Sequence, residues 1–196
     1  MNTKISFFVT FLLLISRINI SAQQKVYGGF KMSSNYTVFT DNAENWKSQI
    51  GYGIGYHEIM ELNDYINLQA EIILTTYSFN KKSNSGSTSY EQNQIFRSIE
   101  IPMMIKYRLS ANSAVGLGYQ YCFLKSGKEK IILSDGTNNT ETKTNNSGVN
   151  TSGIFLDFNT KSKKMIYGIR LNMFQNEFIE TKKSVNSSIY LGYNLF

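Results

Sequence analysis

The sequence predicts an all-β fold, an eight-stranded antiparallel up-and-down transmembrane β-barrel. Three observations lead to this prediction. Apolar and polar residues alternate with a period of two along eight segments. The connections between these segments alternate between long and short, as in barrels that cross an outer membrane. The composition also favours strands, because 13 Phe and 13 Tyr stand against a single Pro.

The first 22 residues have the three parts of a secretory signal peptide. Lys4 supplies a positive start, residues 5–15 are apolar, and Ser21 and Ala22 are small residues at which cleavage is expected. A membrane anchor is the alternative, but a spanning helix needs about 20 apolar residues. No cysteine follows the apolar run, so a lipoprotein anchor is not expected. We therefore predict a signal peptide at 1–22 and one barrel domain at 23–196.

The eight predicted strands set the orientation of the chain. They cover 25–34, 48–59, 64–79, 96–109, 114–124, 150–159, 164–174 and 187–196. The connections at 35–47, 80–95, 125–149 and 175–186 are long and polar, whereas those at 60–63, 110–113 and 160–163 are short. Outer-membrane barrels have short periplasmic turns and longer outer loops. The expected location is therefore the outer membrane of a Gram-negative cell, with both termini in the periplasm.

The volume of the barrel decides which face of each strand points outward. One face carries large residues, such as Ile99, Ile101, Met103, Ile105 and Tyr107 in the fourth strand. The opposite face carries glycines, small polar residues and charges. The interior of an eight-stranded barrel is only just wide enough for side chains to fill, so it cannot hold four or five large residues from every strand. The apolar face is predicted to contact lipid, with tyrosines near the strand ends forming interface girdles.

The inner face is then predicted to hold an equal number of cations and anions. These six residues are Lys31, Lys106, Arg170, Glu71, Glu100 and Asp157. Buried charges must be paired, so we expect a salt-bridged network that plugs the lumen. Glu71 and Glu100, on neighbouring strands, are expected to share Lys106 or Arg170.

The sequence also predicts the positions of two further residues of the fourth strand. Arg108 is placed at the periplasmic rim. Pro102 lacks the N–H that a strand ladder uses, and a closed barrel has no free edge, so a β-bulge is predicted at this position.

Several classes of function receive no support from the residues. The formal charge of +6 is mild and the lysines are scattered, so nucleic-acid binding is not expected. Cys122 is the single cysteine, which excludes an internal disulfide. His57 is the single histidine and has no cluster of ligands around it in the sequence, so neither a metal site nor a catalytic site is predicted. No cofactor is expected, and the protein is not predicted to be an enzyme.

Several segments resemble the PorT-like family of porin-like outer-membrane β-barrel proteins. "SIEIPMMIKYRL" at 98–109 is similar to that family's Leu-Glu-Ile-Pro-Leu-Leu-Leu-Lys-Tyr pattern. "LQAEIILTTYSF" at 68–79 is similar to its Leu-x-x-Glu-Leu-x-Tyr-Ser strand, with Glu71 at the acidic position. "YGGFKMSSNY", "YGIRLNMF" and "LGYNLF" resemble its first strand, a strand with an inward arginine and its closing strand. The resemblance implies an exported, membrane-inserted barrel, and one branch of the family is linked to protein secretion.

The predicted role is structural or a surface interaction, with outer-membrane lipid around a monomer and a possible protein partner at the outer loops. The polar segment 134–148 is the most prominent of these loops. A second hypothesis is a soluble periplasmic barrel that lines a lipid-binding cavity with its apolar face. A third is an outer-membrane protein that assists secretion, and a fourth is a lipid-modifying enzyme that uses His57.

Overall fold

The computed structural model describes residues 25–39, 46–85, 88–133, 139–144, 150–175 and 183–195, and its regular elements are all strands. In chain order these are β1 (Val26–Phe39), β2 (Trp46–Gln49), β3 (Gly51–Glu61), β4 (Ile66–Ser85), β5 (Thr88–Arg108), β6 (Ser113–Leu133), β7 (Asn139–Thr144), β8 (Asn150–Ser162), β9 (Met165–Gln175) and β10 (Lys183–Asn194). Within these ranges no helix is long and apolar enough to cross a membrane. The predicted signal peptide at 1–22 and most of the segment 134–148 lie outside the described residues.

Eight of the strands close into an antiparallel barrel, as predicted. Their order around the barrel is β1, β3, β4, β5, β6, β8, β9 and β10, and β10 pairs with β1 to complete the ring. The two short strands extend the sheet at one end, where β2 pairs with β4 and β7 pairs with β6. The connections at the other end are short, at 62–65, 109–112 and 163–164.

The large apolar side chains point away from the barrel axis, which confirms the predicted facing. Ile54, Ile105 and Leu117 are 55%, 59% and 61% exposed, although they lie in the middle of long strands. Residues that point to the opposite face of these strands, such as Lys106 and Gln120, are buried. The hypothesis of a soluble barrel whose apolar face lines an internal cavity is therefore wrong, because that face forms the outer surface.

The inner face is narrow enough to need glycine at certain positions. A Cβ on Gly168 would overlap the ring of Tyr190, a buried residue of the neighbouring strand β10. A Cβ on Gly192 would meet no atom closer than 3.4 Å, which is ordinary contact. Glycine therefore makes room for an inward aromatic ring at the first position but not at the second.

The β-bulge predicted at Pro102 is wrong. Pro102 pairs in register with Gln120 of β6, and the register of β5 against β4 is unchanged on both sides of the proline. The single shift between β5 and β6 lies between Arg97 and Ser98. A proline removes one donor from the ladder but needs no extra residue, so the strand continues and Lys106 keeps its inward position.

Strands β4, β5 and β6 are longer than predicted. They have 20, 21 and 21 residues, whereas a tilted strand crosses a bilayer in about 9–11 residues. Residues 80–95 and 125–149 are predicted to be loops, but 80–85, 88–95, 125–133 and 139–144 are regular strand. We call the parts at 78–85, 88–97, 126–133 and 139–144 the projecting sheet, because they continue beyond the outward apolar residues Leu74, Ile99 and Phe123, which lie in register.

Candidate functional site

The six charged residues predicted for the interior all point inward. Their positions follow from the alternation of side chains along β1, β4, β5, β8 and β9. Each is between 1% and 5% exposed, and they are Lys31, Glu71, Glu100, Lys106, Asp157 and Arg170. Ionised groups this deeply buried are stable only when they are paired and hydrogen-bonded, so their contacts decide what the interior can do.

Glu71 accepts hydrogen bonds from two cations. Arg170 Nη1 and Nη2 donate to Glu71 Oε2 and Oε1 at 2.9 and 2.8 Å, which is the two-pronged geometry that makes arginine–carboxylate pairs strong. Lys31 Nζ donates to the same two oxygens at 3.1 and 3.0 Å. Strands β4 and β9 are four places apart in the ring of eight, so the Glu71–Arg170 pair spans the full width of the barrel.

Asp157 of β8 connects this pair to Lys106 of β5. Arg170 Nε donates to Asp157 Oδ2 at 3.0 Å, and the two residues are directly paired between β8 and β9. Lys106 Nζ lies 2.8 Å from Asp157 Oδ1, and the hydroxyl of Tyr190 donates to that same oxygen at 2.8 Å. Five of the six predicted residues therefore form one continuous layer across the interior, which we call the ionic layer: Lys31, Glu71, Lys106, Asp157 and Arg170.

Aromatic rings fill the spaces within the ionic layer. Lys31 Nζ lies 3.4 Å from the ring centre of Tyr190, and the guanidinium of Arg170 lies 4.5 Å from the ring centre of Phe155. Both arrangements bring a cation over an aromatic face, which stabilises the cation most where water is excluded. The layer is therefore held by ring contacts as well as by ion pairs.

Glu100 lies outside this layer and contacts Tyr77, whose hydroxyl donates to Glu100 Oε1. Ion pairs among the described residues do not include Glu100, so the prediction that Glu71 and Glu100 share one cation is wrong. The reason is register, because Glu100 pairs with Ile73 and lies two residues further from the short turns than Glu71 does. Tyr77 and Tyr190 were missed as inward residues, although the period-two pattern from Glu71 to Tyr77 was available in the sequence.

A small polar cavity lies beside the ionic layer. Its volume is about 20 Å³, and Lys31, Glu100, Gln120 and Asn172 are among its lining residues. This is room for about one water molecule. Within the described ranges, the side-chain oxygens of Gln120 and Asn172 accept no hydrogen bond from the protein, so a water molecule in this cavity would donate to them. The cavity is too small to hold an organic substrate.

The inward residues at the short-turn end form two further contacts. Arg108 Nη2 donates to Glu61 Oε1 at 2.6 Å, at the rim position predicted for this arginine. His57 is buried, and its Nε2 lies 2.9 Å from Asn194 Oδ1. In the described part of the chain, no group of three or more His, Cys, Asp or Glu residues could hold a metal ion.

The other end of the interior is covered by aromatic rings where the projecting sheet begins. Phe79 and Phe96 are buried with ring centres 6.0 Å apart. Next to them, Asn80 Nδ2 donates to Asn93 Oδ1 at 2.7 Å, and Lys82 Nζ lies 3.6 Å from Glu91 in the partly exposed sheet above. The projecting sheet is thus mostly polar, with Ile95 and residues 131–133 as apolar exceptions, and it joins the barrel through an aromatic contact.

Comparison with known proteins identifies similar folds. No family model matches the sequence, and no curated protein matches it. The attachment invasion locus protein Ail of Yersinia pestis aligns with 6% identity and a TM-score of 0.48, over 88% of this chain and 98% of that one. Neisserial surface protein A aligns with 11% identity and a TM-score of 0.43, over 87% and 97%. The outer membrane protein OprG of Pseudomonas aeruginosa aligns with 13% identity and a TM-score of 0.38, over 88% and 95%. At these values the similarities assign no function to this chain, and the PorT-like resemblance stays a prediction.

Proposed function

We propose that this protein is an outer-membrane β-barrel with a structural or surface-interaction role and no enzymatic activity. The observation that carries the proposal is the closed ring of eight strands with its apolar side chains outside and its charges inside. In water, such a surface would expose a contiguous apolar area far larger than soluble monomers tolerate. Hydrocarbon removes that cost, and a closed barrel leaves no unpaired strand edge in the bilayer.

The height of the apolar surface supports insertion into a membrane. Along β5 and the residue after it, the unbroken run of outward apolar residues extends from Ile99 to Leu109, and Arg97 separates it from Ile95. Ten residue steps extend about 33 Å along a strand, and a strand tilt of about 40° reduces this to a height of about 25 Å, the usual height of the apolar band in outer-membrane barrels. Tyr65 and Tyr107 stack at the short-turn end of this band, where tyrosines favour the headgroup level.

The ionic layer supports a closed bore. Glu71 and Arg170 bridge the full width of the barrel, while Lys106 and Asp157 bridge the remaining space. An eight-stranded barrel has little interior space beyond that filled by its own side chains. We infer that the layer plugs the lumen and that the protein is neither an open pore nor a porin in the functional sense.

The projecting sheet supports a surface interaction. It lies at the end opposite the short turns, which in outer-membrane barrels face the periplasm. In this orientation both termini are periplasmic and the sheet extends out of the cell. Its polar character suits a protein partner in water, and the resemblance to PorT-like proteins keeps a role in secretion as a second candidate.

Cell fractionation tests the location. The protein should be recovered in the outer-membrane fraction, and its migration on a denaturing gel should change on heating, because folded barrels resist the detergent until they are boiled. Recovery in the soluble fraction after osmotic shock would exclude the proposal.

Two functional assays test the closed bore and the absence of catalysis. Vesicles that contain the protein should swell in a sugar solution no faster than empty vesicles, whereas faster swelling would indicate an open pore. The His57→Ala variant should leave the lipid profile of the outer membrane unchanged, whereas a changed profile would favour a lipid-modifying enzyme.

A further inference from the structure

A groove crosses the outer face of the barrel over β1, β8, β9 and β10. Its volume is about 630 Å³. The apolar residues along it are Met32, Phe158, Tyr167, Ile169, Ile189 and Leu191. Ser34 also lines it, and its small exposed side chain leaves space between the larger side chains of its neighbours. The exposed large side chains along the groove are apolar or aromatic, which suits contact with an acyl chain.

Two lysines lie at the short-turn end of this groove. Ser162 pairs with Met165, so Lys163 and Lys164 form the two-residue turn between β8 and β9, and both are exposed. Thr160 and Tyr167, which line the groove, pair with each other three residues from the turn. Three residues of strand measure about 10 Å, so a molecule in the groove reaches the two ammonium groups.

Lys163 lies at a position of the turn where a side chain is strained. Its φ is 55°, in the left-handed region. Glycine is favoured at the first central position of such hairpin turns, because residues with a Cβ are strained there. Lys164 adds a structural contact, since its Nζ donates to the backbone oxygen of Leu195 at 3.1 Å.

The surrounding charges favour an anionic ligand. Among the described residues of β1, β8, β9 and β10, Asp157 is the single acid, and it is buried in the ionic layer. The acidic residues of the short-turn end, Glu58, Glu61 and Asp64, belong to β3 and the turn that follows it. The outer surface around Lys163 and Lys164 therefore carries positive charge, and the described residues of these strands add no exposed acidic side chain to neutralise it.

We propose that the groove, Lys163 and Lys164 form a binding site for one anionic phospholipid. The phosphate contacts the two ammonium groups, and an acyl chain lies in the groove. This proposal rests on the proposed membrane insertion, and it adds that the site selects an anionic lipid. A soluble or cell-wall anion fits less well, because a two-residue turn holds the lysines within about 10 Å of Tyr167, whose ring belongs at the headgroup level.

Native mass spectrometry of the whole protein, extracted from membranes in a mild detergent, tests this site. Phosphatidylglycerol and phosphatidylcholine with identical acyl chains are added in turn, and the lipid that stays bound is measured. Wild-type protein should retain phosphatidylglycerol more strongly. A lysine near a headgroup phosphate changes the affinity about fivefold, so the double variant Lys163→Gln/Lys164→Gln should bind this lipid about 25-fold more weakly.

Matched variants separate the two parts of the site. Lys81→Gln/Lys82→Gln removes the same charge from an adjacent lysine pair at the projecting end and should leave lipid binding unchanged. Ser34→Phe fills the groove and should weaken both lipids equally. Lys163→Gly relieves the left-handed turn, so it should fold at least as stably as the wild type but bind phosphatidylglycerol about fivefold more weakly.

The outcomes distinguish this site from the proposed function. If the chain forms a heat-modifiable barrel but retains both lipids equally, the lipid site is wrong and the proposed function stands. If it forms no such barrel, both are wrong. If soluble peptidoglycan fragments displace the bound phosphatidylglycerol, the lysines bind a cell-wall anion instead, which also overturns the lipid assignment.

Discussion

Glu71 and Arg170 form a two-pronged ion pair from opposite walls of the barrel, with hydrogen bonds of 2.9 and 2.8 Å. Arg170 also binds Asp157, so one guanidinium joins two buried carboxylates. Buried ion pairs of this kind contribute little relative to a well-packed apolar core, but they are costly to break, because the remaining charge is left without a partner.

The first prediction concerns the loss of this guanidinium. Arg170→Met should lower the free energy of unfolding by about 3–5 kcal/mol, because Glu71 and Asp157 each lose a buried partner. Urea titration of the barrel refolded into lipid vesicles measures the change. Lys82→Met removes a cation from an exposed pair and should alter the stability by about 0.5 kcal/mol or less. The double variant Glu71→Gln/Arg170→Met should lose less than the sum of its single variants, and full additivity would show that the two residues do not interact.

The second prediction uses two inward glycines on neighbouring strands. Gly168→Ala forces the Tyr190 ring to move, which weakens its hydrogen bond to Asp157 and should cost about 1–3 kcal/mol. Gly192→Ala places its methyl group in ordinary contact and should be close to neutral. Thermal loss of the heat-modifiable gel form compares the two variants side by side. Equal effects would mean that Tyr190 does not occupy the space above Gly168.

The third prediction tests which surface contacts lipid. Leu117 faces outward near the middle of the apolar band, where an arginine should cost about 2–4 kcal/mol. Leu109 faces outward at its short-turn end, where the same substitution should cost about 0–1 kcal/mol. The yield of folded barrel in vesicles should therefore fall for Leu117→Arg and stay near the wild-type level for Leu109→Arg. A soluble protein would accept an arginine at both exposed positions.

The fourth prediction separates the tip of the projecting sheet, residues 82–91 of the β4–β5 hairpin, from the barrel. Lys81 pairs with Gln92 across β4 and β5, so residues 82–91 can be replaced by an Asn-Gly turn, which suits a two-residue hairpin. The ionic layer lies well below this cut, so the shortened chain should refold and keep its heat-modifiable migration. If the proposed protein partner binds this tip, the partner should no longer co-purify with the shortened chain. If the shortened chain fails to form a barrel, this tip is part of the folding unit rather than an appendage.

A large part of the fold could be predicted because the environment of a barrel strand changes with every residue, from lipid to interior and back. Ile105 points outward and Lys106 inward because successive side chains of a strand point to opposite faces. The period-two pattern of the sequence is therefore enough to predict the direction of both side chains. The pattern alone does not say whether the apolar face points into the barrel or out of it. The small interior of an eight-stranded barrel excludes the inward arrangement. The same reasoning selected the inward charges from the sequence, but it did not extend to their partners.

The sequence by itself determined the strand count, the outward and inward faces and the set of charges inside. The tertiary structure decided which cation meets which acid, since contacts between distant strands depend on register and on position around the ring. Register separates Glu100 from Glu71 and leaves it with Tyr77, and ring order brings Arg170 across the barrel to Glu71. The tertiary structure also decided the length of the projecting sheet. Its residues lack the apolar alternation that contact with lipid imposes, so the sequence does not mark them as strands. Pairing between β4, β5 and β6 holds them in the sheet.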